Sequence, residues 1–103
     1  MQKISRSEFV RHCADFFNSC LEIQKTKGDD YTIASDIFES TKDLSKRVGI
    51  REGRLLAIFL QKHLDAIFTR VRTGEELMSE TLDERIADSI NFLLLIREWY
   101  KDV

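Results

Sequence analysis

A chain of 103 residues holds enough apolar side chain for one modest core and too little for two. Hydrophobic residues make up 43% and charged residues 33%, the balance of a folded globular protein rather than a disordered one. A formal net charge of −2 excludes a global basic field for gripping nucleic acid, and with no proline the helical periodicity runs unbroken. The reading is a single all-α domain over residues 1–103, built as a compact antiparallel bundle of three long helices and one short one.

Ser5 and Glu8 have capping-box spacing and open the first helix. Phe9, Cys13, Phe16, Phe17, Cys20 and Ile23 then recur at three- and four-residue steps. The helix is predicted to stop at Lys27-Gly28, where glycine suits a left-handed cap, and residues 28–35 read as a loop. Asp36 with Glu39 starts the second helix; Ile37, Phe38, Thr41, Leu44 and Val48 form its buried stripe, and Gly49 ends it. The third runs from Arg51 or Glu52 to Arg72, with Leu55, Leu56, Ile58, Phe59 and Leu60 leading its apolar set and Thr73-Gly74 closing it. The fourth starts at Ser79 or Thr81, both good caps, and reaches about Lys101. Lys46, Arg47, Arg51 and Arg54 cluster around one turn, as a local anion patch or as a solvated helix end.

Residues 92–96 of the fourth helix are all apolar, so every face there needs cover. That predicts a homo-oligomer formed through helix four, centred on Phe92, Leu95, Ile96 and Trp99, with a central helix of a monomeric bundle as the alternative. Cys13 and Cys20, two helical turns apart, are beyond disulfide reach of each other and read as buried, reduced thiols. Residues 1–8 lack the apolar run of a leader, and the run at 92–96 is far shorter than the roughly 20 residues that span a bilayer. The expectation is a cytoplasmic protein with no membrane partner.

Glu80, Glu84 and Asp88 stand at i, i+4 and i+8, with Asn91 next on the same face of helix four. Like charges so spaced call for a cation, either Mg²⁺ held by carboxylate oxygens or basic side chains of the neighbouring helix. In helix three, Lys62 could neutralise a phosphate and Asp65 could offer a second carboxylate; the plain alternative is two exposed charges. His63 between them reads as an interior or boundary histidine. The segment Lys27, Gly28, Asp29, Asp30, Tyr31 could supply a cation for phosphate, a carboxylate for ribose or metal, and a ring for a base, although many turns share that composition.

Lys27-x-x-Asp30-Tyr31, Phe38, the Lys62-His63 pair and the segment from Glu80 to Phe92 together resemble the nucleotide-modification-associated domain family of small, mostly phage-encoded helical proteins. The resemblance covers about residues 27–99, and Phe92 stands where the family's ending usually has tyrosine. That ending is also similar to the all-α nucleoside triphosphate pyrophosphatases of the MazG and dUTPase type, which bind Mg²⁺ with carboxylates from two helices. Here Glu84-x-x-x-Asp88 lies on helix four, and helix three carries no acidic triplet. The resemblance therefore implies binding of a nucleotide or modified nucleotide in phage nucleotide metabolism, in the host cytosol, more than its turnover. Glu80, Glu84 and Asp88 would hold Mg²⁺, and Lys27, Asp30, Tyr31, Lys62, Asp65 and Asn91 would contact the nucleotide. The competing class is a non-catalytic helical interaction protein that binds a host protein or sequesters a signalling nucleotide.

Overall fold

The computed structural model describes residues 3–31, 36–75 and 81–101, the side chains of residues 27–31 excepted. It contains four helices, α1 (Arg6–Tyr31), α2 (Glu39–Val48), α3 (Glu52–Thr73) and α4 (Leu82–Tyr100), with no strand among the described residues. The all-α class is therefore as expected. The chain falls into two compact units, Met1–Ser35 and Asp36–Val103.

In the first unit, the Ser5 hydroxyl accepts the Glu8 amide at 3.1 Å, so the predicted cap is formed. The far end departs from expectation, because α1 continues through Gly28 to Tyr31. An interior glycine costs a helix about 1 kcal/mol relative to alanine, and with no proline nearby each added residue still closes a backbone bond. Cys20 is buried, and burial pushes its thiol pKa up. Cys13 is exposed, contrary to the expectation of two buried thiols.

In the second unit, α3 packs against both α2 and α4. Gly53 meets Tyr100, Phe59 meets Phe92 and His63 meets Asp88, so residue numbers rise along α3 as they fall along α4. The hairpin is antiparallel. Gly53 permits the close approach of the two helices at the open end of the hairpin, because a methyl group there would fall on the Tyr100 ring, with Cζ 3.0 Å away. Phe38, just before α2, sets its ring edge-on to Trp99 with centroids 5.0 Å apart, which ties α2 to the end of α4. Gly49 and Gly74 end α2 and α3 at φ of 70° and 73°, a conformation open to glycine at little cost.

Full burial is concentrated near the start of α3. Leu55 and Leu56 are buried, Leu56 to 1% exposure, together with Gly53. The expected stripe of α2 is only half covered: Phe38 and Leu44 are half-buried, while Ile37 and Val48 are exposed. Ile58, Phe68 and Val71 of α3 also face outward, because a helix with two neighbours hides two faces and leaves the remainder in water. Leu56→Ala should therefore cost about 2–5 kcal/mol, whereas Val71→Ala should stay within about 0.5 kcal/mol, as read by urea denaturation. Equal effects would contradict this distribution of the core.

The start of α2 is held electrostatically. Asp36 accepts the Phe38 amide at 2.9 Å and the Lys42 ammonium at 2.5 Å. The Lys42 hydrogen bond, followed by the Phe38 amide, holds the Asp36 carboxyl below the usual carboxylate range, and the same bond raises the Lys42 pKa. A depressed acid contributes stability that is lost as pH falls through its folded pKa. A raised base loses its contribution as pH rises through its own. The Phe38 amide resonance should thus move in two steps, one acid and one alkaline, with a plateau across neutral pH. Asp36→Asn should abolish the acid step.

Candidate functional site at the α3–α4 seam

The Thr81 hydroxyl caps α4 by accepting the Glu84 amide at 3.1 Å, and it lies 3.1 Å from Glu84 Oε1, to which it donates. Glu84 is thus drawn to the start of its own helix and is exposed. One turn on, Asp88 is half-buried and turns toward α3, its Oδ2 3.8 Å from His63 Nδ1. That separation exceeds a hydrogen bond. The closer partner of the same nitrogen is Arg85 Nη1 at 3.0 Å. A guanidinium only donates, so Nδ1 accepts and the ring proton sits on Nε2.

Aromatic rings back this polar set. His63 stacks on Phe92 with centroids 5.5 Å apart and a 24° interplanar angle, and Phe59 packs on Phe92 at 5.7 Å. Only 13% of the His63 side chain and 27% of Asp88 remain exposed, so these polar groups meet in a medium less polar than bulk water. Beneath them Ser89 is buried and donates its hydroxyl to the Arg85 carbonyl at 2.8 Å. The result is a guanidinium, an imidazole and a carboxylate gathered at the edge of an aromatic wall.

Of the residues singled out in the sequence, Asp88 belongs to this cluster and Asn91 is half-buried on the same helix. Lys62 and Asp65 are exposed on α3, and Asp65 accepts the Gln61 amide at 2.7 Å. Glu80 lies outside the described residues, as do the side chains of Lys27, Asp30 and Tyr31, whose backbones belong to α1 and not to the predicted loop. Among the described residues no group of three His, Cys, Asp or Glu side chains is placed to hold a metal ion. Sequence reasoning missed Arg85. Its signal was available, since Arg85, Asp88 and Phe92 stand at i, i+3 and i+7 and share one helix face.

Arg85→Met removes the donor that His63 Nδ1 accepts and should cost about 1–3 kcal/mol. Adding His63→Phe replaces both partners by apolar groups, so the double variant should recover much of that loss. Urea denaturation of the four-member cycle measures the coupling; additivity within about 0.5 kcal/mol would show that the two side chains do not depend on each other.

No described helix is long and apolar enough to cross a membrane. Comparison with protein-family models, curated proteins and solved structures finds no match to this chain.

Proposed function

We propose that the Asp36–Val103 unit binds a nucleotide or modified nucleotide along the α3–α4 seam, as a binding protein of phage nucleotide metabolism. The observation that carries this reading is the half-buried grouping of His63, Arg85 and Asp88 against Phe92. A guanidinium recognises phosphate through paired N–H donors, and an imidazole and a carboxylate can address ribose or base edges. A phosphate would bind there by exchange with the present partners of Arg85. Lys62 is close in sequence to His63 and exposed, so it can add a second cation.

Magnesium enters as an ion bound together with the nucleotide. Mg²⁺ commonly takes one or two protein carboxylates and completes its shell with phosphate oxygens and water. Asp88 and Glu84 are the described candidates, with Glu80 outside the described residues. A second reading is a non-catalytic interaction protein that self-associates or binds a host protein through α4. It is favoured by Leu93 and Leu94, which stay 53% and 40% exposed in the middle of that helix.

The test is a melting-temperature panel of nucleoside mono-, di- and triphosphates, run in Mg²⁺ and again in chelator. A ligand at 100 times its Kd stabilises by about 2.7 kcal/mol, a shift of several degrees for a domain of this size. Arg85→Met should remove the shift, and dependence on Mg²⁺ would support the ion. Absence of any nucleotide shift at millimolar concentration, in either buffer, would overturn nucleotide binding and leave the interaction reading.

A further inference from the structure

Helix α1 carries a pattern that neither nucleotide binding nor the surface of α4 uses. Phe9, Cys13, Phe16, Cys20 and Ile23 follow one another at steps of four, three, four and three residues, all within one continuous helix. The mean step is 3.5 residues, the period of helices wound around each other in a left-handed supercoil. Charged Arg6 and Lys27 stand where the repeat would continue, so the seam is bounded at two heptads.

The residues beside the seam narrow down what it meets. On one side lie Val10, Phe17 and Gln24, and on the other His12, Ser19 and Thr26. None is an acid, a lysine or an arginine. The charges of this stretch, Glu8, Arg11, Asp15, Glu22 and Lys25, fall on the opposite side of the helix. When a helix pairs with its own copy, every charge beside the seam faces a residue of the same set, so like charges there repel. A seam with neutral flanks suits a second copy. Along the seam Phe9 and Ile23 keep 49% and 43% of their surface exposed and Cys13 is exposed, whereas Phe16 is half-buried and Cys20 buried. With Val10 beside them at 58%, the apolar area left for a partner lies at Phe9, Val10, Cys13 and Ile23.

We propose that α1 is a homodimerisation helix, whose occupant is the α1 of a second copy of this chain. Two heptads make a short seam, so the association is concentration-dependent.

Sedimentation equilibrium of the full chain under reducing conditions tests it. The parent should show a monomer–dimer equilibrium, and Phe16→Glu should shift it to monomer. Because a charge in the seam could also unfold α1, a second variant, Ser19→Arg with Gln24→Arg, places cations on both flanks, where they repel in either helix orientation. It should weaken dimerisation about tenfold or more at low salt and recover as salt screens the charges. Leu94→Glu on α4 should leave the dimer intact. A parent that stays monomeric with α1 helical by circular dichroism would overturn the proposal. So would a dimer lost in Leu94→Glu and kept in both α1 variants.

Discussion

The contact of Phe92 with Phe59 and His63 is the constraint on which the second unit depends. It sets which face of α4 looks toward α3, and it fixes the antiparallel register that brings Tyr100 over Gly53 and Asp88 toward His63. A ring with neighbours on two successive turns of α3 cannot slide by one residue without losing both, so a single apolar contact positions the polar groups as well. The helix ends follow. Trp99, seven residues beyond Phe92 on the same stripe, meets Phe38 and carries α2 with it.

That arrangement explains why a polar cluster is tolerated in a seam with few fully buried apolar side chains. His63 Nδ1 has a donor in Arg85, and the Ser89 hydroxyl has an acceptor in the Arg85 carbonyl. Satisfied in this way, polar groups in a helix interface specify one register at small net energy, whereas an unmatched one would penalise the packing. The proposed ligand recognition would draw on the same residues that fix the seam, and a ligand engaging Arg85 would compete with an internal partner.

The two units also differ in what they lack. Asp36–Val103 has neighbours for each of its helices, yet Ile58, Leu93 and Leu94 remain at its surface. Among the described residues of Met1–Ser35 the one helix is α1, and a helix without a described second element in its unit has little on which to bury a stripe. Apolar periodicity in such a segment informs about assembly as much as about folding.

The number and type of the described helices, the serine and threonine caps, and the glycine ends of α2 and α3 were all legible in the order of the residues. These features rest on bonds between residues three or four apart, and Ser5, Thr81, Gly49 and Gly74 express them locally. Sequence reasoning misjudged Gly28, because a glycine signals a cap only when the chain beyond it gains more by leaving the helix than by continuing. Burial was less legible. A run such as residues 92–96 is apolar on every face, so composition could not say that Phe92 turns inward while Leu93 and Leu94 turn out; only packing against α3 decided that. The candidate site divided in the same way. Asp88 stood out as one carboxylate in a strip, but its turn toward a histidine twenty-five residues earlier, and the entry of Arg85 beside it, needed the tertiary register. Side chains distant in sequence become neighbours only once a helix pair has chosen its faces.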